Sequence, residues 1–164
     1  MKKIVTLLAL LALAISVQAA TLLDTVNGIF NVADTNSLIH AQTLDITPTF
    51  TYDSASRDLG GTLKLGWWIT QQQGAGFWFY ENERREQFWS LSYDVRTVFK
   101  QVELGLATGV QQPMASNLGN DLRAYLQPNL CYRFNQNLGL FAGATFFNGD
   151  RPRIDIGLRF TWGR

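Results

Sequence analysis

The chain has 164 residues, of which 46% are hydrophobic, 13% aromatic and only 16% charged. This length suits one domain. The single Cys131 excludes an internal disulfide framework, and one histidine with one cysteine cannot build the usual thiolate or imidazole metal site. The formal net charge is +1 and no long block of like charge is present, so we expect no nucleic-acid partner. From the Cys and His counts we also expect no metal, and we expect no other cofactor.

The N-terminal residues have the pattern of a secretory signal peptide. Lys2 and Lys3 precede an uninterrupted apolar or small stretch over residues 4–17, and Val17 and Ala19 place small residues at the two positions that a signal peptidase reads. This stretch is about 14 residues long and a spanning helix needs roughly 20, so a cleaved leader is favoured over a retained anchor. We predict a signal peptide over residues 1–19 and a secreted, nearly neutral mature chain that begins at Ala20.

Residues 20–42 form a second predicted segment. Leu22, Val26, Ile29 and Ala33 fall at helical spacing, with polar residues between them. This spacing predicts a short amphipathic helix in the periplasmic membrane interface, although Gly28 weakens it. A plug, a disordered leader and an additional strand are the alternatives.

From residue 43 onward the apolar residues recur with period two, as in half-buried strands. The clearest example is residues 154–162, where Ile, Leu, Phe and Trp alternate with Asp, Gly, Arg and Thr. The same alternation holds, over shorter or longer stretches, at residues 44–52, 63–69, 89–95, 102–110, 122–134 and 138–146, with an aromatic segment at 77–80. These segments predict eight strands, and ten strands is the alternative.

Side-chain size indicates which face of these strands points inward. The polar parity is rich in glycine and alanine, whereas the apolar parity carries bulky residues, and the lumen of an eight-stranded barrel is just wide enough for side chains. The polar parity also carries charges of both signs, which would cost about 2–4 kcal/mol per Arg or Lys in mid-bilayer. We therefore predict an ion-pair network that closes the lumen, formed by Asp45, Lys64, Asp94, Arg96, Glu103, Arg123, Arg133, Asp155 and Arg159. The alternative is the wet face of a soluble sheet, as in a periplasmic β-sandwich or ligand carrier.

Aromatic residues are expected to gather at the two membrane interfaces of such a barrel. Those placed near the periplasmic ends are Phe99, Phe134, Trp162, Trp67, Trp68, Phe77, Trp78, Phe79 and Tyr80. Those placed near the outer ends are Tyr52, Trp89 and Phe146. Tight connections are predicted at residues 100–101 and 135–137, and a longer one at 111–120, in keeping with short periplasmic turns and longer outer loops.

The C-terminal strand resembles the terminal strand signal of bacterial outer-membrane β-barrels. It carries a polar residue at Asp155, then Gly157, then aromatic residues at Phe160 and Trp162, although Gly163 and Arg164 follow where such chains commonly end. The resemblance implies insertion by the barrel-assembly machinery into the outer membrane of a Gram-negative-type bacterium. The predicted fold is therefore an all-β, eight-stranded antiparallel up-and-down transmembrane barrel over residues 43–164.

Two prolines suggest a second resemblance. Pro48 and Pro128 lie inside predicted strands, where each removes a ladder donor. With the preceding amphipathic helix, this resembles the lipid A palmitoyltransferase family, in which weakened strand pairing admits lipids laterally. The catalytic part does not carry over, because His40 falls at the periplasmic end. Bulges at both prolines and a solvated His40 are the favoured interpretation.

These observations predict a monomeric membrane-anchoring or surface-interaction protein with outer-membrane lipid and lipopolysaccharide as partners. No catalytic residue is assigned, since the only histidine has no Ser or Cys partner nearby in sequence, and Cys131 is expected to be a buried free thiol. In the charged loop at residues 81–86, Arg84 and Arg85 are candidates for contact with lipopolysaccharide phosphate. The alternatives are a lipid A-modifying acyltransferase-like enzyme and a small porin-like channel.

Overall fold

The computed structural model describes residues 41–114, 122–148 and 151–163. The predicted signal peptide, nearly all of the predicted amphipathic helix and His40 lie outside these residues. None of the described residues belongs to a helix that is long and apolar enough to cross a membrane.

The described chain folds into eight strands. They are β1 (Thr43–Asp53), β2 (Asp58–Trp68), β3 (Gln73–Asn82), β4 (Gln87–Phe99), β5 (Val102–Pro113), β6 (Arg123–Arg133), β7 (Leu138–Phe147) and β8 (Arg153–Trp162). Each predicted strand is confirmed, so eight is the correct number and ten is wrong. The strands have 10 to 13 residues, the length of a strand that crosses a bilayer at a tilt.

The strands close into a barrel. Each pairs antiparallel with its sequence neighbours, and β1 pairs with β8, so that no sheet edge remains. The period-two pattern decides which side chains line the inside: Asp155 and Arg159 are each 2% exposed, whereas Leu158 between Gly157 and Arg159 is 41% exposed. A β-sandwich with an apolar core is thereby excluded, and the predicted up-and-down barrel is confirmed.

The two ends of the barrel differ in their connections. We call the end where β1 begins and β8 ends the terminal end, and the opposite end the loop end. At the terminal end, Lys100 and Gln101 alone join β4 to β5, with Lys100 at a φ of 55°. Between β6 and β7, the Asn135 side chain accepts hydrogen bonds from the backbone N–H groups of Asn137 and Leu138 and closes the turn. The longest connection joins β5 to β6 at the loop end, as predicted.

Pro48 and Pro128 interrupt strand pairing, but they do not form bulges. In the β1–β8 pairing, the gap at Pro48 lies between the pairs Ile46↔Phe160 and Thr49↔Gly157. In the β6–β7 pairing, the gap at Pro128 lies between Leu126↔Phe146 and Asn129↔Gly143. The register is the same on both sides of each gap, so no extra residue is inserted and the predicted bulges are wrong. Each proline simply lacks the N–H that its neighbouring strand would accept.

The outer surface carries the apolar parity of the strands. Its middle is a band of leucine and isoleucine that includes Leu63, Leu91, Leu104, Leu130, Leu140, Ile156 and Leu158, all more than one third exposed. Exposed aromatic residues flank this band, with Trp67, Phe99, Phe134 and Trp162 towards the terminal end and Phe50, Tyr52 and Phe146 towards the loop end.

Four aromatic residues depart from the predicted placement. Phe79 pairs with Trp89 in the loop-end half of the barrel rather than lying near the periplasmic end, and three rings point inward. Trp68, Trp78 and Tyr80 are 2–4% exposed and point into the barrel, because they share the parity of Lys64 rather than that of Trp67. Their assignment to a periplasmic interface is therefore wrong. Aromatic type alone suggested an interface, whereas strand parity identifies these rings as lumen residues.

Candidate functional site

The lumen near the terminal end is filled by charged side chains, which we call the ionic layer. It consists of Asp45 on β1, Arg96 on β4, Glu103 on β5, Arg133 on β6 and Arg159 on β8, none more than 3% exposed. Five different strands thus contribute one charge each to the same small volume. Closure of the barrel brings them together, since Asp45 and Arg159 come from opposite ends of the sequence.

Glu103 is the centre of the ionic layer. Arg133 donates to its Oε2 atom from Nη2 at 2.7 Å and from Nε at 3.1 Å. Arg159 donates to the other oxygen, Oε1, and Arg96 Nη1 lies 3.6 Å from Oε2. Three guanidinium groups therefore surround one carboxylate, which is the geometry in which a buried ion pair is compensated by hydrogen bonds.

Asp45 anchors the other side of the ionic layer through neutral donors. Trp68 Nε1 donates to its Oδ2 atom at 2.6 Å, and Thr161 Oγ1 donates to Oδ1 at 2.6 Å. Arg133 Nη1 in turn donates to Thr161 Oγ1 at 2.6 Å, which links Asp45 to the Glu103 side. The guanidinium carbon of Arg96 lies 3.6 Å from the centre of the Trp68 ring, within the range of a cation–π interaction.

Glycine residues supply the space that these long side chains need. A Cβ atom at Gly139 on β7 would lie 2.6 Å from Cys131 Sγ and 3.3 Å from Arg133 Cδ, and one at Gly74 on β3 would lie 3.0 Å from Trp68 Cε3. Two of the three strands that contribute no charge to the ionic layer, β3 and β7, therefore contribute open space. Cys131 is a buried free thiol, as predicted.

A second group of polar side chains lies at mid-height. Lys64 Nζ is 2.9 Å from Asp94 Oδ2, and both side chains are almost fully buried. Asp155 accepts hydrogen bonds from Thr51 Oγ1 at 2.6 Å, Gln127 Nε2 at 2.9 Å and Thr145 Oγ1 at 3.2 Å. Asp155 is thus held by neutral donors, in contrast to Glu103.

Aromatic rings fill much of the lumen towards the loop end, and we call Trp78, Tyr80, Tyr125 and Phe147 the aromatic layer. The Tyr125 ring lies 5.2 Å from that of Trp78 and 6.0 Å from that of Phe147, measured between centroids. The guanidinium carbon of Arg153 lies 3.8 Å from the Tyr80 ring centre. Arg153 also reaches Gln111 Oε1 at 3.3 Å and Asp53 at 3.6 Å.

The structure places eight of the nine predicted lumen charges inside the barrel, but in three groups rather than one network. Five form the ionic layer, Lys64 and Asp94 form a separate pair, and Asp155 sits among hydroxyl and amide groups. The prediction is wrong for Arg123, which is exposed at the loop end, with its guanidinium carbon 5.4 Å from the Phe147 ring centre. As the first residue of β6 it has the inward parity but lies at the rim.

Sequence reasoning missed four participants in these contacts. Trp68, Thr161 and Arg153 share the inward parity of their strands, and this signal was available in the sequence. Asp53 is the last residue of β1, and parity alone does not show which residue lies opposite it. The β1–β8 register places Arg153 there.

The other predicted residues lie at the two ends of the barrel. Arg84 and Arg85 are exposed in the β3–β4 turn at the loop end, and Arg84 Nη2 lies 3.2 Å from Asp58 Oδ1. In β8, Phe160 stacks on Trp162 with ring centroids 5.9 Å apart, near the terminal end. Within the described ranges, no cluster of three or more His, Cys, Asp or Glu could hold a metal ion.

The fold and its lumen define a closed eight-stranded β-barrel with an apolar exterior and a charged interior. A de novo designed transmembrane β-barrel matches it with a TM-score of 0.65 at 15% identity, covering 74% of this chain and 97% of that chain. The N-terminal β-barrel domain of Pseudomonas aeruginosa OprF matches with a TM-score of 0.63 at 13% identity, covering 74% and 98%. The designed barrel TMB2.3 matches with a TM-score of 0.64 at 12% identity, covering 76% and 98%.

No family model matches the chain. No curated protein matches it either. The structural matches therefore show that this chain has the fold of eight-stranded transmembrane barrels, natural and designed, and they lend no support to the resemblance to the lipid A palmitoyltransferase family.

Proposed function

We propose that this protein is an integral outer-membrane β-barrel of a Gram-negative-type bacterium, with a closed lumen, that acts as a monomeric membrane anchor or surface-interaction protein. It is neither an open channel nor an enzyme in this proposal. The observation that carries it is the inversion of ordinary burial, because Arg96, Glu103 and Arg133 are fully buried while Leu63, Leu130 and Leu158 are each more than 40% exposed.

The exterior supports a lipid environment. Soluble monomers rarely expose a continuous apolar belt around their whole circumference, and here such a belt is flanked by aromatic residues at both ends. The position of the OprF barrel among the matches agrees with a bacterial outer membrane, and the C-terminal strand agrees with delivery by the barrel-assembly machinery.

The interior supports a closed lumen. The ionic layer spans the terminal-end half of the barrel with hydrogen bonds between strands that are not neighbours, such as Arg159 on β8 to Glu103 on β5 and Arg133 on β6 to Thr161 on β8. The aromatic layer fills the other half. Ions would have to displace both layers in order to pass.

The loop end is the face proposed to meet lipopolysaccharide. Arg85 is exposed and lies in a turn outside the apolar belt, so it is better placed than Arg84, which already faces Asp58. A guanidinium group at this height would pair with lipid phosphate.

The membrane location is tested by a charge placed at two depths on one strand. Leu63 and Leu59 both point outward on β2, Leu63 at mid-strand and Leu59 near the loop end. Leu63→Arg should destabilise the barrel in lipid vesicles by about 2–4 kcal/mol and Leu59→Arg by about 0–1 kcal/mol. Urea titrations of the folded fraction, read by heat-modifiable gel mobility, give both values. Equal effects of the two substitutions would contradict a membrane-embedded belt.

The closed lumen is tested separately by planar-bilayer recording of the purified protein. We expect no steady conductance from the wild type. A large, sustained current would refute the closed lumen while leaving the membrane location intact.

A further inference from the structure

A small cavity lies inside the barrel at mid-height, between the ionic layer and the aromatic layer. Its lining includes Thr47, Lys64, Trp78, Gln127 and Asp155, which come from five different strands. It has about 10 Å³ of space for the centre of a water molecule, which is about the least volume that holds one water.

Three side chains of this lining carry a buried polar atom that has no hydrogen-bond partner in the protein. The atoms are Thr47 Oγ1, Trp78 Nε1 and Gln127 Oε1, on residues that are 1%, 4% and 1% exposed. A buried polar group that stays without a hydrogen-bond partner destabilises the folded state. All three residues line the same cavity, so a ligand that reaches these atoms from it supplies hydrogen bonds that the protein does not.

The orientation of the Gln127 amide is fixed by its other contacts. Its Nε2 atom donates to Asp155 Oδ2 at 2.9 Å and to Thr145 Oγ1 at 2.8 Å. A carboxylate only accepts hydrogen bonds, so the nitrogen must face Asp155 and Oε1 must be the acceptor. Gln127 thus needs a donor, whereas the Trp78 N–H needs an acceptor.

We propose that this cavity binds one internal water molecule. Water accepts from Trp78, donates to Gln127 and makes either kind of hydrogen bond with Thr47. A cation would face the Lys64 ammonium group and the indole N–H, and an anion would face the Asp155 carboxylate and the Gln127 oxygen. The mixed charge and the mixed hydrogen-bonding needs of the lining therefore exclude both ions and fit a neutral ligand of this size.

The bound water would complete the closure of the lumen. Its cavity lies between the Lys64–Asp94 ion pair and the hydroxyl and amide groups around Asp155. The water would link these two groups of side chains by hydrogen bonds. This inference concerns the interior alone and holds whether or not the barrel anchors a surface interaction.

Two buried indoles provide a matched test within the same molecule. The full mature chain, labelled with 15N and folded in detergent micelles, is studied by water–protein rotating-frame cross-relaxation at the indole N–H groups. Trp78 should show a direct cross-peak to water. Trp68, which is 3% exposed and donates to Asp45 at 2.6 Å, should show none.

Two substitutions at Thr47 separate bound water from the alternatives. Thr47→Val removes the hydroxyl that could relay magnetisation and keeps the space, so the Trp78 cross-peak should persist. Thr47→Ile replaces the hydroxyl with an ethyl group, one methyl group more than in Thr47→Val, and fills the space, so the cross-peak should be lost. Exchange of sodium chloride for potassium nitrate should leave the Trp78 signal unshifted.

The proposal is overturned if wild-type Trp78 shows no cross-peak, if Trp68 shows one of equal strength, or if the cross-peak survives in Thr47→Ile. A Trp78 shift that depends on the identity of the salt would instead assign an ion to the cavity. The wild-type comparison of the two indoles decides the question even if a Thr47 variant fails to fold.

Discussion

The ionic layer and the aromatic layer close the same tube by different means. In the ionic layer, the carboxylates of Glu103 and Asp45 each accept hydrogen bonds on both oxygens. In the aromatic layer, rings supply the bulk, while the Tyr80 hydroxyl and the Trp78 N–H have no hydrogen-bond partner in the protein. One end of the lumen is thus specified by directional bonds and the other by shape, so the two should respond differently to substitution.

The largest expected effect is in the ionic layer. Glu103→Gln keeps the size of the side chain but leaves three arginines facing one carboxylate, and the loss of one partner of a buried ion pair costs about 3–5 kcal/mol. Urea titration of the folded fraction in lipid vesicles measures this loss, and bilayer recordings should remain silent, because the aromatic layer is untouched.

The matched control for Glu103→Gln is Asp53→Asn at the loop-end rim. Asp53 also faces an arginine, Arg153, at 3.6 Å, but its side chain is 21% exposed, so the expected loss is under about 1 kcal/mol. Equal losses in the free energy of unfolding for the two variants would contradict the expected difference between the buried ionic layer and the partly exposed rim.

The second expected effect tests a single hydrogen bond in the ionic layer. Trp68→Phe retains most of the ring under Arg96 but removes the N–H that donates to Asp45. The unsatisfied carboxylate oxygen should cost about 1–3 kcal/mol in the same titration. A neutral result would mean that Asp45 is held by Thr161 and the arginines alone.

A smaller effect is expected from a change of shape in the aromatic layer. Phe147→Leu keeps an apolar side chain of similar volume against Tyr125, so the loss should stay below about 1.5 kcal/mol. Bilayer recordings should remain silent, because the ionic layer is untouched. Current from this variant would show that the rings, and not the charges, close the lumen.

The smallest expected effect comes from removing an unpartnered group. Tyr80→Phe deletes a hydroxyl that has no hydrogen-bond partner in the protein and keeps the stacking on Phe88, whose ring centroid lies 5.7 Å away. Stability should be unchanged or slightly raised, because no bond is lost on substitution. A clear loss in the titration would reveal a partner of the hydroxyl and weaken the contrast between the layers.

The barrel itself could be predicted from sequence, because an alternation such as that of residues 154–162 encodes two opposite faces and the glycine-rich parity identifies the inner one. The division of the lumen into layers could not. Parity places Asp94 and Glu103 on the same face, but their vertical positions depend on strand register, and register set Lys64 beside Asp94 and Arg133 beside Glu103. Residue type predicts an interface for Trp68, Trp78 and Tyr80, whereas strand parity places all three in the lumen.

The prolines show a further limit of local reasoning. A missing N–H inside a strand predicted a bulge, since bulges are the usual way to absorb such a defect. Closure of the barrel fixes the register of β1 against β8 from both sides of Pro48. The barrel tolerates the missing hydrogen bonds at Pro48 because the remaining strand pairs hold the register.

The ionic layer draws its charges from β1, β4, β5, β6 and β8, so its partners are separated by as many as 116 residues of chain, as between Asp45 and Thr161. Before the barrel closes, Asp45 on β1 and Arg159 on β8 lie apart, whereas Glu103 and Arg133 are already on neighbouring strands. Because unpaired charges are costly in hydrocarbon, we expect the barrel to close in an aqueous environment before it enters the lipid bilayer. Pairing of β8 with β1 brings Arg159 to Glu103 and Thr161 to Asp45 and closes the barrel.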